Sequence, residues 1–246
     1  MNELCYGEAV ILRKLYHAII NYILPNRCIS CATLIDDGQG ICGECFHKLN
    51  FISAPFCHQC GFPFEFYIEG KNLCAGCIAK SPYYDSARSL LKFDIHCKKI
   101  IHAFKYSDKT GHAKIFAHAL VAQYGLELKN IDFVVPVPMH RLKRILRYYN
   151  PAQLLALELS KILNIPMIPD LLIKTKWTKP QSALSRVQRK TNVIGSIKVN
   201  PAKICRKKNL LLIDDVKTTG ATANYCAKLL KRSGAKYVAL VTIATT

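Results

Sequence analysis

Thirteen residues near the carboxyl end, LLLIDDVKTTGAT (210–222), leave this chain few folds to adopt. A run of Leu and Ile this apolar reads as a central strand of a parallel sheet, buried on both faces. It ends in two adjacent carboxylates, Asp214 and Asp215. A short loop, Val216–Lys217, leads to Thr218, Thr219, Gly220, Ala221 and Thr222, which open a helix. Open α/β sheets bind ligands at the carboxyl ends of their strands. At a helix start the backbone N–H groups point outward and the helix dipole favours an anion. Gly220 lets the backbone approach closely, and the threonine hydroxyls add donors. One phosphate fits such a cradle. The carboxylates lie too near that phosphate to bind it and suit hydroxyl donors one sugar-length away. The residues therefore point to a ribose 5-phosphate, its phosphate on the Thr-Gly loop and its hydroxyls on Asp214 and Asp215. The plain alternative is a helix after a buried strand with two surface acids. Neither the Walker spacing of a P-loop nor G-x-G-x-x-G is present.

Twelve cysteines are present, eight of them in four CxxC pairs: Cys28/Cys31, Cys42/Cys45, Cys57/Cys60 and Cys74/Cys77. The spacings are CxxC-x10-CxxC and CxxC-x13-CxxC. Two residues between thiols let one turn present both sulfurs to a tetrahedral ion. Two such knuckles complete a four-sulfur site. The eight thiols thus predict two structural zinc sites paired in sequence order, as a double zinc ribbon. Cross-bracing of the first knuckle with the third is the other pairing. Iron–sulfur clusters and redox dithiols are competing uses, but four evenly built knuckles favour closed structural sites. His47 and His58 lie nearby, yet four thiolates already complete each site. Cys5, Cys97, Cys205 and Cys226 have no knuckle partner and read as ordinary thiols. A segment this small lacks core, so metal binding supplies its folding free energy.

The 246 residues suffice for one α/β domain with a small appendage. Residues 1–25 read as an amphipathic helix, with Ile11, Leu15, Ala18, Ile19, Tyr22 and Ile23 at helical spacing. It packs onto the protein or lies on a membrane surface. Charges at Glu8, Arg13 and Lys14 keep it from spanning a bilayer. Residues 26–80 are the Cys-rich domain. Residues 81–246 alternate strand and helix signals, which predicts an α/β fold with a parallel sheet. Strands are expected within 85–94, 131–137, 165–175, 209–216 and 237–245. Helices are expected over 96–106, 111–128, 150–163 and 219–233, with Asn150 as an N-cap and Pro151 in the first turn. With no secretory signal ahead of the cysteines, the chain reads as a reduced, cytoplasmic protein.

IDDVKTTGAT resembles the phosphoribosyl-pyrophosphate (PRPP) signature of type I phosphoribosyltransferases. The resemblance implies a type I phosphoribosyltransferase-like parallel sheet flanked by helices, behind the small N-terminal four-cysteine zinc-ribbon domain that the spacing predicts. It also implies an acid pair on the ribose hydroxyls, Thr218–Thr222 on the 5-phosphate, and a Mg²⁺ bridging PRPP oxygens. The pyrophosphate loop of those enzymes follows an early strand and helix. Phe104–Lys105–Tyr106–Ser107 holds that place here, which adds Lys105 and Tyr106 to the PRPP-binding set. VPVPMH (135–140), RLKRILRYYNPAQ (141–153) and QSALSRVQRKTNVIG (181–195), with the Cys-rich head, are similar to the ComF family, linked to competence and DNA uptake. Pro136, Pro138, His140, Arg147, Asn150, Gln181, Leu184, Arg189 and Asn192 keep that pattern. Tyr148–Tyr149 and Pro151 depart from it, since the family has Gly-Phe and Gln there, and loss of the glycine implies a differently shaped turn.

Lys and Arg total 35 against 16 Asp and Glu, a formal charge of +19. Two four-thiolate zinc sites at −2 each would leave the chain strongly basic, and such a chain attracts polyanions. Arg141, Lys143, Arg144 and Arg147 stand beside Tyr148 and Tyr149, placing cations next to aromatics as single-strand grooves do. A solvated basic helix end is the plainer reading of the same residues. Arg186, Arg189 and Lys190 form a second cluster, in a segment able to close over PRPP as a lid. The expected function is that of a ComF-like protein that binds PRPP and single-stranded DNA and serves the DNA-uptake machinery. Transfer of ribose 5-phosphate to a base or small nucleophile, and non-catalytic PRPP sensing, are the alternative functions.

Overall fold

The structure, a computed structural model, describes residues 25–36, 40–66, 70, 72–106, 111–140, 145, 148–176, 193–203 and 205–246. The N-terminal helix expected over 1–25 lies outside these residues but for Pro25. Two compact units divide the chain, Met1–Lys48 and Leu49–Thr246. The division falls inside the stretch expected as one Cys-rich domain, so the third and fourth knuckles share a unit with the sheet.

In chain order the helices are α1 (Gly43–His47), α2 (Ala75–Ala79), α3 (Ile95–Tyr106), α4 (His112–Tyr124), α5 (Pro151–Leu163) and α6 (Ala221–Arg232). The strands are β1 (Ser86–Lys92), β2 (Phe133–Pro136), β3 (Leu172–Lys174), β4 (Ile197–Val199), β5 (Asn209–Lys217) and β6 (Tyr237–Thr245). Four strands form a parallel sheet in the order β1-β6-β5-β2. The expected parallel α/β fold is present, with β5 interior to the sheet as its apolar run demands. β3 and β4 form a separate antiparallel pair.

Alternation along β5 serves two cores at once. Leu210 and Leu212 join the core that contains Ala223, Cys226, Ala227 and Leu230 of α6. Those four α6 residues recur at i, i+3, i+4 and i+7, the spacing of one helix face. Leu211 and Ile213, equally buried, turn to the opposite face. On α5, Asn150 is the N-cap, its side chain accepting from the Ala152 N–H, and Pro151 occupies the first turn. The left-handed Asn164 closes that helix.

Neither outer strand of the sheet is bare. At β1, Phe51 bridges Leu91, the Ile52 N–H donates to the Leu90 carbonyl, and the Lys92 N–H donates to that of Asn50. At β2, Met167 bridges Val134, the Val134 N–H donates to the Pro166 carbonyl, and the Ile168 N–H donates to that of Val134. Among the described residues, no helix is long and apolar enough to cross a membrane.

Candidate functional site

The carboxyl end of β5 carries Asp214 and Asp215, both half-buried. The Asp215 N–H donates to Oδ1 of Asp214 at 2.9 Å, and the Val216 N–H donates to Oδ1 of Asp215 at 2.6 Å. Burial, with the charge of Asp215 beside it, pushes the Asp214 carboxyl up to about 8. The chain then turns through Thr218 and Thr219 to Gly220, whose φ of +67° puts it in the left-handed region at the start of α6. A glycine is favoured there for want of a Cβ. Thr219 Oγ1 accepts from the Ala221 N–H at 3.4 Å. The loop is tied from the sheet side, where the Thr246 hydroxyl donates to the Thr218 carbonyl at 3.1 Å and the Thr246 N–H donates to that of Lys217 at 3.1 Å. The first turn of α6 has no acidic residue, and its last turn carries Lys231 and Arg232. The dipole is thus countered at its negative end and left open to an anion at its positive end. Acid pair and Thr-Gly turn stand together as the sequence predicts.

One lysine from elsewhere in the chain pairs with the acids, and the charge of Asp214 bears on a second. Lys105, in the last turn of α3, pairs its ammonium with Asp215 Oδ2 at 3.0 Å. Lys174, the last residue of β3, has its pKa lowered by burial while the charges of Cys226 and Asp214 hold it up. The sequence singles out Lys105 as part of a loop, whereas here it is helical. Nothing in the sequence marks Lys174. Tyr106 is exposed and its ring lies 4.6 Å from that of His102. Ser107 lies outside the described residues.

The eight knuckle cysteines gather into two groups, Cys28/Cys31/Cys42/Cys45 and Cys57/Cys60/Cys74/Cys77, each with its sulfurs within 4.8 Å of one another. The pairing is sequential. Sγ–Sγ distances of 3.6 Å for Cys31–Cys42 and for Cys60–Cys74 are close to the ~3.8 Å that ~2.3 Å Zn–S bonds give in a tetrahedron. Four thiols this close cannot all ionise without a cation, and their acidities split apart. Hydrogen bonds from Thr33 pull Cys31 down to about 6, while burial pushes Cys45 up to about 12. In the second group burial pushes Cys60 up to about 11, whereas Cys57, despite burial, is drawn to about 7 by backbone N–H groups of Cys60, Cys74 and Gln59. Both groups fit structural zinc. Cys97, Cys205 and Cys226 are buried in the α/β unit, apart from either group.

The second group is anchored on the sheet. Arg88 of β1, itself buried, lays its guanidinium 4.5 Å above the centre of the Phe56 ring and donates through Nη1 to the His58 carbonyl at 3.1 Å. Gly61, at φ +69°, lies so close to β1 that an added Cβ would sit 2.5 Å from the Ala87 carbonyl oxygen. From β5, the buried Lys217 donates its ammonium to the Cys60 carbonyl. In the sequence Lys217 reads only as a loop residue.

Of the residues expected to meet nucleic acid, Arg141, Lys143, Arg144, Arg147, Arg186 and Arg189 lie outside the described residues. Tyr148 is exposed with φ +62°, and Tyr149 donates its hydroxyl to the Phe104 carbonyl at 2.8 Å. A different basic surface lies at the amino ends of β5 and β6. The Lys207 N–H donates to the Gly234 carbonyl, the Lys236 N–H donates to that of Lys208, and the Lys231 ammonium donates to that of Lys236. Arg206 packs on Gly234. Lys208 pairs with Asp132 at 3.3 Å and Lys231 with Asp85 at 2.7 Å, while Arg206, Lys207, Arg232 and Lys236 are exposed.

The chain is similar to proteins named for competence and for DNA utilization. Residues 19–78 match the double zinc ribbon domain family. Competence protein F of Haemophilus influenzae is 28% identical over 219 residues, covering 86% of this chain and 93% of that protein. DNA utilization protein YhgH of Escherichia coli is 26% identical over 223 residues, covering 87% and 95%. Competence protein ComFC of Bacillus subtilis is 26% identical over 209 residues, covering 82% of each. Among solved structures, a hypoxanthine phosphoribosyltransferase from Staphylococcus aureus is 15% identical with a TM-score of 0.38, covering 56% of this chain and 65% of that one. A purine phosphoribosyltransferase from Pyrococcus horikoshii is 18% identical with a TM-score of 0.34, covering 57% and 75%.

Proposed function

We propose that this homologue of Competence protein F binds PRPP with Mg²⁺ at the carboxyl end of β5 and binds single-stranded DNA as a cytoplasmic component of DNA uptake. The observation that carries the first part is one junction: two adjacent half-buried carboxylates followed within five residues by a left-handed glycine that opens a helix with no acid in its first turn. Asp214 and Asp215 receive the ribose hydroxyls. The N–H and hydroxyl groups of Thr218, Thr219, Gly220, Ala221 and Thr222 receive the 5-phosphate. Lys105, which meets Asp215 in the free protein, turns with Tyr106 toward the pyrophosphate. Mg²⁺ neutralises that pyrophosphate when bound. Zinc on the eight knuckle cysteines holds the head.

Calorimetry with PRPP and Mg²⁺ tests the site. Wild type should bind, and Asp214→Asn combined with Asp215→Asn should weaken binding about a hundredfold, as expected for loss of two charged hydrogen-bond acceptors. No heat with wild type removes the reading. Pyrophosphate release with candidate bases separates transfer from binding alone.

The DNA part is supported by the relatives' names and by the exposed cations at the amino ends of β5 and β6, opposite the acid pair along the strands. Lys207→Glu, Arg232→Glu and Lys236→Glu together should reduce single-strand affinity and flatten its salt dependence while PRPP binding stays intact. Absence of wild-type binding in low salt refutes this part.

A further inference from the structure

From the contacts of Lys217 we infer that the second four-cysteine centre forms the floor of the phosphate loop, with Lys217 as the positioning residue that joins them; the inference rests on reading the loop as the ribose-phosphate site.

Lys217 is the last residue of β5, paired across the sheet with Thr245, and the next residue begins the Thr-Gly turn. Its side chain turns away from the loop's open side. The stem runs beneath Gly220, with Cγ and Cδ 3.7 and 3.9 Å from the point a Cβ on Gly220 would occupy. The ammonium then reaches the Cys60 carbonyl. A lysine in a phosphate-binding loop ordinarily serves the phosphate directly. This one is buried, and its charge faces the thiol cluster.

Charge explains the arrangement. Four thiolates around one Zn²⁺ carry a net −2, which a partly buried site must have compensated. The buried Lys217 ammonium, held at the Cys60 carbonyl, sets a positive charge against that site. With the lysine held at Cys60, its methylenes prop the backbone at Gly220 from below. A second path runs in parallel. The Tyr84 hydroxyl lies 3.8 Å from the same Cβ position on Gly220, and the Tyr83 N–H donates to Oδ1 of Asn224 at 2.6 Å. The Asn224 N–H in turn donates to the Gly220 carbonyl. Residues 83–84 lie shortly after the fourth knuckle, five residues separating Cys77 from Tyr83. Ribbon and loop therefore share one set of supports, and a metal that fixes Cys60 also fixes where the phosphate would sit. The first four-cysteine centre, in the other compact unit, serves as the control.

The test uses the full zinc-loaded chain and PRPP–Mg²⁺ calorimetry, with zinc content and thermal melting measured in parallel. Lys217→Met should retain two zinc ions and a cooperative melt yet bind PRPP about tenfold more weakly, the size expected when a charged hydrogen bond that sets a loop is removed. Lys217→Arg, which keeps the charge, should recover part of that loss. Equal PRPP affinity in wild type and Lys217→Met overturns the inference. Because the methionine variant could fail to fold, a second measurement needs no substitution at that position. In protein loaded with cadmium-113, PRPP should shift the resonance of the Cys57–Cys77 centre and leave that of the Cys28–Cys45 centre, assigned from Cys45→Ser, in place. Binding of PRPP with both resonances unmoved also overturns it. Failure of wild type to bind PRPP at all refutes the ribose-phosphate reading instead.

Discussion

The Cys28–Cys45 and Cys57–Cys77 centres are built alike at short range. In each, a turn carries the first CxxC pair and ends in a left-handed residue, Ala32 at φ +62° or Gly61 at +69°. In each, a five-residue helix carries the second pair, with Cys42 or Cys74 at its N-cap and Cys45 or Cys77 one turn on. Their surroundings differ. Among the described residues of the first unit, Cys28 alone is buried. Around the second, Cys57 and Cys77 are buried, and Arg88, Tyr84 and Lys217 bring the sheet's own core to the thiols. One ligand chemistry thus supports two kinds of stability. Among the described residues, the first centre has little but the metal for cohesion, and the second adds metal to a fold with ample apolar core.

The largest effect should come from taking one ligand from each centre. Cys45→Ser should unfold the first unit outright, seen as loss of one of two zinc ions with the main thermal transition unmoved. Cys77→Ser should lower that main transition, by about 15 °C if several kcal/mol are lost. Equal shifts in both variants would erase the distinction.

Next comes the turn residue. Gly61→Ala drives a Cβ against the Ala87 carbonyl and strains a positive φ, so it should cost about 2–3 kcal/mol, or roughly 6–9 °C. Ala32→Gly relieves the same strain in the first turn and should tighten its zinc by about 1 kcal/mol in a chelator competition. A destabilising Ala32→Gly would mean that the two turns are not equivalent.

The smallest effect is one of pH and concerns the acid pair. The Asp214 carboxyl titrates at about 8 in the folded protein, against 3.8 ordinarily. Between those values the folded protein holds a proton that the unfolded chain has released, so its stability falls as pH rises through that window. A ligand that needs the ionised carboxylate gains affinity over the same range. PRPP should bind about fivefold tighter at pH 8 than at pH 7 and level off above. The gain should vanish in Asp214→Asn and persist in Cys45→Ser, whose lost ligand belongs to the other unit.

Local signals carried much of this molecule. The apolar run of β5, the threefold spacing of the cysteines and the Asn150-Pro151 cap each depend on neighbours a few residues away, and each element stands where those neighbours put it. The supports of the site are not local. Lys105 meets Asp215 across 110 positions of sequence, and Lys217 meets Cys60 across 157. No periodicity encodes such a contact. The expected boundary near residue 80 follows cysteine content, whereas the compact units follow packing, and Gly61 on Ala87 and Ile52 on Leu90 place the second ribbon with the sheet. The short β3–β4 pair escaped in part because three-residue strands carry too little alternation to read.

The bridges that flank the four-stranded sheet bear on how its rims are kept from pairing with other chains. A parallel sheet of four strands has two rims, each a row of unpaired N–H and C=O groups that another chain could extend. Here residues 50–52 lie on one rim and 166–168 on the other, each only a few residues long. The segment at 50–52 is also the lead-in to Cys57. Any event that strips the second centre of its metal therefore loosens the strip that shields β1. Metal loss would then register first as strand-to-strand association between molecules, before the α/β core itself melts.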